Sequence, residues 1–257
     1  MVLLKNLISK DETLTNIFKD KPSVKTDYLI RGVSSNSKEI KKDYIFVALK
    51  GQKFDGSNFI TEAKKNGAVL ILSEDSNKEN VFSLKKGTAR KIYSLLLSSF
   101  YENQPRQIVG VTGTNGKTSV VEFCRQIWGQ ASWKAASMGT LGTKIDTISD
   151  KRNLIKSANN LTTYEPSDLY KELNYLASKE ISYLAIEASS HGIDQCRLDG
   201  IKFSGAVFTN LSHDHLDYHK SIENYYISKK RLFTNLLNPN SSIAINIDDS
   251  YGVKLFQ

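Results

Sequence analysis

The run Gly113-Thr114-Asn115-Gly116-Lys117-Thr118-Ser119 carries the residue types that bind a nucleotide triphosphate. Glycines let the backbone N–H groups of a tight turn face an anion, and a helix beginning there adds its positive end. Lys117 is placed to neutralise the β and γ phosphates of ATP, and the Thr118 hydroxyl to ligate Mg²⁺. The general phosphate-loop pattern wants a glycine where this chain has Val111, and glycine-rich turns between strand and helix also arise for structural reasons alone. The strand, loop and helix arranged around the motif favour nucleotide binding.

All four histidines, His191, His213, His215 and His219, fall in one stretch of the chain, interleaved with carboxylates in Glu187-Ala188-Ser189-Ser190-His191 and Ser212-His213-Asp214-His215-Leu216-Asp217-Tyr218-His219. Each segment starts at the C-terminal end of a predicted strand, and in an open parallel sheet ligands collect at such ends. Glu187 closes the apolar run Tyr183-Leu184-Ala185-Ile186. An unpaired carboxylate there is costly to bury, so a Mg²⁺ ligand is the economical reading. A lone histidine is more often a hydrogen-bonded structural group or a solvated one than a ligand.

The elements that must position these residues follow from periodicity. Apolar runs at Tyr44 to Ala48 and Ala68 to Leu72 predict buried strands, separated by a polar helix from Asn58 to Asn66 that ends at Gly67. A further helix is expected over Thr88 to Tyr101, and the polar Glu102-Asn103-Gln104-Pro105 that follows marks a boundary between domains 1–104 and 105–257. Beyond it come a strand at Gln107 to Thr112 and a helix with apolar positions Val120, Phe123, Cys124, Ile127 and Trp128. Helix Ser167 to Lys179 and strands Ser182 to Glu187, Gly205 to Thr209 and Ser242 to Ile247 complete the alternation. The expected fold class is α/β: a small N-terminal α/β domain, then a P-loop ATPase-like domain with a mainly parallel sheet flanked by helices.

With 257 residues and 40% hydrophobic content the chain can bury a sizeable core. The longest apolar run, Ala68 to Leu72, is too short to span a bilayer, and charges interrupt the first residues, so neither membrane insertion nor a signal peptide is expected. Cys124 and Cys196 lack metal-ligand spacing and suit a reducing cytoplasm. The net charge of +8 is spread over scattered lysines without a nucleic-acid motif. It suits a polyanionic small substrate, and nucleic acid is not an expected partner.

Taken together, the Thr112 to Thr118 loop, Glu187 to Gly192 and Thr209 to His219 resemble the Mur ligase family, in which Val111 is an ordinary departure. The ordered set looks most like the branch that adds the third residue of the peptide, and the resemblance runs from about residue 30 onward. It implies ATP and Mg²⁺ as cofactors, with Gly113, Thr114, Asn115, Gly116, Lys117, Thr118 and Ser119 on the nucleotide. Lys117, Lys229 and His215 would serve catalysis; Thr118 would hold the Mg²⁺ of the nucleotide, Glu187 with His215 a second Mg²⁺, and a carbamylated Lys229 would help to hold the metal. Lys229 matches a family lysine that carries a carbamate, although beside Lys230 and Arg231 it reads by itself as a solvated helix face.

The same resemblance places Thr162, Thr163, Ser189, Gln195 and Arg197 on a UDP-N-acetylmuramoyl dipeptide. It places Ser37 on the uridine nucleotide, within Asn36-Ser37-Lys38 where the family has Asp-Ser-Arg. Lysine cannot reproduce an arginine fork. The implied reaction is attack of the peptide carboxylate on the γ phosphate of ATP, giving an acyl phosphate, then displacement of phosphate by the amine of a diamino acid. The first domain would bind the UDP substrate and the second ATP. The family's third domain, which holds the incoming amino acid, has no counterpart here, so a fragment is expected. A folylpolyglutamate-synthetase-like ligase and a non-catalytic nucleotide-sugar-binding module are the alternatives.

Overall fold

Short apolar runs become parallel strands covered on both faces. The structure is a computed structural model that describes residues 1–19, 25–51, 55–75, 81–146 and 161–257. The chain divides into two units, Met1–Glu102 and Asn103–Gln257; the sequence places the break after Gln104.

In the first unit, β1 (Val2–Leu3) and β2 (Leu29–Ile30) pair antiparallel, and β3 (Gly32–Ser34), β4 (Tyr44–Ala48), β5 (Ala68–Ser73) and β6 (Phe82–Ser83) form a wholly parallel sheet in that order. Consecutive residues Ile45, Phe46 and Val47 are all buried, which is the pattern of a strand covered on both faces. The helices are α1 (Leu4–Ile8), α2 (Glu12–Lys19), α3 (Ile60–Lys65) and α4 (Ala89–Tyr101). The helix expected from Asn58 is shorter, because Asp55 accepts from Ser57 N at 2.9 Å and caps a 3₁₀ turn, Gly56–Phe59, ahead of α3. Gly67 ends α3 with φ +101°, and a Cβ there would meet the Lys42 backbone at 2.9 Å.

The second unit holds β7 (Gln107–Thr112), β8 (Ala135–Gly139), β9 (Gly142–Asp146), β10 (Tyr183–Glu187), β11 (Phe203–Phe208) and β12 (Leu237–Ile245), in the spatial order β12-β11-β7-β10-β8-β9. Only β9 runs antiparallel. Its helices are α5 (Lys117–Gln130), α6 (Pro166–Ser178), α7 (Ser190–Asp194), α8 (Leu216–His219), α9 (Ile222–Arg231) and α10 (Ser250–Phe256). The expected α/β architecture is the one observed. β7 lies between β10 and β11, and Glu187 pairs with Val111 while Phe208 pairs with Thr112. The carboxyl ends of three strands therefore align, and the chain leaves them in opposite directions. This is the switch point at which such sheets bind ligands.

Two elements depart from the sequence expectation. In α5 the buried stripe is Val121, with Val120, Cys124 and Trp128 packed against Val111 and Ala185, whereas Phe123 and Ile127 are 59% and 63% exposed. Both stripes satisfy three-four spacing, so periodicity alone does not choose between them. β12 begins at Leu237 and includes Pro239, which an edge strand tolerates.

Candidate active site

The loop after β7 is shaped by its two glycines. Gly113 has φ +151° and a Cβ there would lie 1.9 Å from Thr209 Oγ1; Gly116 has φ +82° with open space around it. Gly116 stands at the N-cap of α5 and no side chain caps that end, so its first-turn amides face outward as an anion site needs. The segment after β11 braces the loop. Thr114 N donates to Asn210 O at 2.9 Å, Asn115 N to Asn210 Oδ1 at 3.0 Å, and Thr209 Oγ1 to Asn115 O at 2.7 Å. Thr114 Oγ1 accepts from Ser212 N at 2.9 Å and lies 3.3 Å from the Tyr225 hydroxyl. Ser119, in the first turn of α5, is exposed.

Lys117 Nζ donates to Gly113 O at 2.9 Å and to Thr114 O at 2.8 Å. Lys229 Nζ reaches the same Gly113 carbonyl from α9, at 2.8 Å. Lys229 is only 1% exposed, unlike its exposed neighbour Lys230. The solvated-face reading of this segment therefore fails for Lys229: α9 turns Tyr225, Tyr226, Ser228 and Lys229 inward. The ammonium sits over the Tyr225 ring, 4.4 Å from its centroid. Burial, reinforced by Lys117, holds the Lys229 pKa well below the ordinary lysine range, with Asp214 opposing. Burial also lowers that of Lys117, against Glu187 and Asp214.

Glu187 ends β10 and is 1% exposed. Its Oε1 accepts from Thr118 Oγ1 at 2.9 Å and from Thr140 N at 2.9 Å, and its Oε2 lies 3.3 Å from Thr140 Oγ1. Gly139 makes room for it, since a Cβ there would fall 2.2 Å from Oε1. Thr118 and Glu187 present hydroxyl and carboxylate oxygens together, a donor pair that fits a hard divalent cation. Among the described residues no three His, Cys, Asp or Glu side chains gather as a metal cage; an ion here would complete its shell with phosphate and water, as Mg²⁺ commonly does.

The histidines cluster with aromatic partners. His215, with φ +52°, packs edge-on to His191 at 4.8 Å between centroids and faces Tyr225 at 6.2 Å, while its Nε2 is 3.5 Å from Asp214 Oδ2. Tyr225 thus stands between His215 and Lys229. Burial, then His215 and Arg197, push the His191 pKa down, and burial does the same to His219. His213 is exposed.

A second cluster gathers Thr162, Thr163, Ser189, Gln195 and Arg197. Thr163 is 1% exposed and its hydroxyl is committed three ways: it donates to Glu187 O and accepts from Ser189 N and Ser189 Oγ, each at 2.9 Å. Thr162 is half-buried and accepts from Thr140 Oγ1 at 3.0 Å, linking this cluster to Glu187. Arg197 donates to Thr163 O at 2.8 Å, to Gln195 Oε1 at 2.7 and 3.2 Å, and pairs with Glu165 at 3.0 Å. Ser37, in the first unit, is 5% exposed and donates to Glu62 Oε2 at 2.5 Å. Thr140, Asn210, Tyr218 and Tyr225 are site residues that the sequence reading missed. Asn210 and Tyr218 lie inside the Thr209 to His219 motif but carry no role in that reading, whereas Thr140 and Tyr225 lie outside the motifs and reach them only through the fold.

Comparison with known proteins agrees with this geometry. Residues 111–257 match the Mur ligase middle domain, and residues 29–103 the Mur ligase family catalytic domain. A UDP-N-acetylmuramoyl-L-alanyl-D-glutamate–2,6-diaminopimelate ligase from Brucella melitensis biotype 1 is 40% identical over 231 residues, covering 89% of this chain and 46% of the relative. The enzyme of that name from Caulobacter vibrioides is 42% identical over 225 residues, covering 87% and 46%. The chain thus spans about half the length of these relatives. A solved structure of a ligase with that name superposes with TM-score 0.77 at 29% identity, covering 94% of this chain and 48% of the other. With its middle-domain match extending over most of the second unit, this chain belongs to the Mur ligase family.

Proposed function

We propose that this chain forms the UDP-substrate-binding and ATP-binding part of a ligase that adds 2,6-diaminopimelate to UDP-N-acetylmuramoyl-L-alanyl-D-glutamate. The observation that carries the ATP half is the convergence of Lys117 and Lys229 on the Gly113 carbonyl beside the Thr118–Glu187 pair. Lys117 and a row of helix-end amides make a place for a triphosphate, with Lys229 beside it. The relatives' names supply the substrate, and they favour it over a folate. The use of ATP and a nucleotide-activated precursor supports a cytoplasmic reaction. Among the described residues no helix is long and apolar enough to cross a membrane.

In this reading a terminal carboxylate of the peptide attacks the γ phosphorus of ATP, the bond to the bridging oxygen breaks, and ADP departs. The amine of diaminopimelate then attacks the acyl carbon, phosphate leaves, and the amine loses a proton. Lys117 screens the repulsion between carboxylate and triphosphate. Thr118 and Glu187 would hold Mg²⁺, which would neutralise charge on the phosphate oxygens, with His215 and a carbamylated Lys229 as the further ligands that the family resemblance implies. Lys229 would lose its ammonium proton, the neutral amine would add to CO₂, and a second proton would leave as the carbamate forms, so that an anion replaces a buried cation opposite Lys117, removing a like-charge contact and adding an oxygen ligand. Arg197 and Gln195 would face the anionic peptide, and Thr162, less buried than Thr163, would offer the accessible hydroxyl of that pair. Ser189 and Ser37 complete the substrate set, Ser37 on the uridine side.

Calorimetric titration of the purified chain tests this. Wild type should bind UDP-muramoyl dipeptide, and a non-hydrolysable ATP analogue with Mg²⁺. Lys117→Ala should weaken the nucleotide selectively, and Arg197→Ala the dipeptide. A wild-type chain that binds nucleotide and ignores the dipeptide removes the substrate assignment.

A further inference from the structure

Tyr218 joins the histidine run to the Gln195–Arg197 segment through its hydroxyl. That hydroxyl donates to Asp194 Oδ2 at 2.7 Å and accepts from Gln195 Nε2 at 3.3 Å, while its ring lies against His191 with centroids 4.2 Å apart. Gln195 is thereby held at both ends of its amide. Its Nε2 faces Tyr218, and its Oε1 accepts from Arg197 Nη2 at 2.7 Å and Nε at 3.2 Å. Two N–H donors from a guanidinium require the oxygen of the amide to face them, and a flipped amide would set donor against donor. Further Arg197 contacts, Nη1 to Thr163 O at 2.8 Å and Nη2 to Glu165 Oε1 at 3.0 Å, help to fix the guanidinium.

The outer end of this chain of bonds is open. Asp194 and Tyr218 line a cavity of about 800 Å³ together with His219, Asn224 and Arg231. Asp194 is exposed, and the tyrosine hydroxyl links its carboxylate to the half-buried Gln195 amide. The ring of Tyr218 is held independently by its contact with His191. Removing the hydroxyl alone would leave the ring in place and release the Nε2 end of the Gln195 amide, which Arg197 would then hold by its oxygen alone.

We propose that Tyr218 is a positioning residue: its hydroxyl sets the direction of the Gln195 amide and through it the Arg197 guanidinium, in the orientation that receives the anionic portion of the UDP-muramoyl dipeptide. This rests on the reading that Gln195 and Arg197 meet that substrate. It assigns to the tyrosine no contact with the nucleotide.

The test compares wild type, Tyr218→Phe, Gln195→Leu and the double variant by calorimetry with UDP-muramoyl dipeptide and, separately, with Mg²⁺ and a non-hydrolysable ATP analogue. The side-chain NMR signals of Gln195 and Arg197 are followed in the ligand-free chain. Tyr218→Phe is expected to weaken the dipeptide about three- to tenfold, with nucleotide affinity and Tm unchanged. It should also shift the Gln195 side-chain amide signal, and have no further effect in the Gln195→Leu background. Unchanged dipeptide affinity in Tyr218→Phe, equal loss of both ligands, or a lowered Tm overturns the proposal. If the wild type fails to bind the dipeptide, the substrate assignment falls separately. The NMR signals then decide: an unmoved Gln195 amide overturns the positioning role, and a shifted one retains it.

Discussion

Lys117 and Lys229 donate to one acceptor, the Gly113 carbonyl, at 2.9 and 2.8 Å. One is the first residue of α5 and the other lies near the end of α9, so the loop carbonyl is where two helices bring cations together. Burial lowers the pKa of both lysines, reinforced at Lys229 by Lys117 and opposed by Asp214 at each and by Glu187 at Lys117, so keeping both groups charged in this setting is unfavourable. An anion arriving at the loop relieves that cost. The arrangement is therefore organised for a ligand at the expense of the free protein.

Replacing Lys229 separates these two roles. Methionine matches its length and removes the buried charge, and such replacements are often neutral or stabilising. Lys229→Met should leave Tm unchanged or raise it by about 2–4 °C, while weakening Mg²⁺-dependent nucleotide binding roughly 10- to 100-fold. Differential scanning calorimetry and titration on one preparation check both. Loss of stability together with binding would show that Lys229 serves the fold.

Glu187 should act through its charge. Glu187→Gln keeps an acceptor for Thr118 and Thr140 yet loses the carboxylate. The expected outcome is nucleotide binding that Mg²⁺ no longer strengthens, read by titrations with and without the ion. Gly139→Ala presses a methyl group within 2.2 Å of Oε1. It should displace the carboxylate, reduce the Mg²⁺ effect in the same direction, and cost about 1–3 kcal/mol of stability.

Much of this site was legible from sequence because its core follows local rules. Strand β7 appears over the expected Gln107 to Thr112, since an apolar run ended by a glycine turn has few other solutions. Glu187 stands where a carboxylate ending an apolar strand had to be accounted for. The hairpin of β8 and β9 was illegible: Ala135-Ala136-Ser137-Met138-Gly139 lacks the β-branched and aromatic residues that announce a strand. Its small residues are set by tertiary crowding, as at Gly139 against Glu187. Thr140 was hidden for the same reason, and Lys229 looked solvated because its burial depends on the Gly113 loop brought to it by the sheet.

Glu172, on α6 and 7% exposed, gives the second unit a pH-dependent stability unrelated to ligand binding. Its Oε1 has no hydrogen-bond partner, and burial raises its pKa from 4.5 to about 7 against a hydrogen bond from Thr143. A folded pKa above the unfolded one means that the folded state holds a proton the unfolded chain releases between those values. The contribution is full below about 4.5 and is lost as pH rises through about 7. Denaturation midpoints should fall across that window by the equivalent of about 1–3 kcal/mol. Glu172→Gln should flatten the profile, and an unaltered slope in that variant would assign the effect elsewhere.

The exposed stripe of α5 supplies a test of which face of the helix carries packing. Phe123 and Ile127 are 59% and 63% exposed, while Val121 is 2% exposed and sits against Val111 and Ala185 on the sheet. Hydrophobicity would rank phenylalanine as the costliest of the three to remove, but the free energy of truncation follows the area buried and the cavity left behind. Phe123→Ser and Ile127→Ser should each change stability by no more than about 0.5 kcal/mol. Val121→Ala, the smallest change chemically, should cost about 2 kcal/mol. Because Val121 anchors the helix that starts at Lys117 to the sheet, Val121→Ala should also loosen the phosphate loop and weaken the nucleotide, whereas the two serine variants leave its affinity at the wild-type value. Urea denaturation and nucleotide titration of the three variants decide the matter, and a large loss at Phe123 would mean that this face is covered in the folded protein.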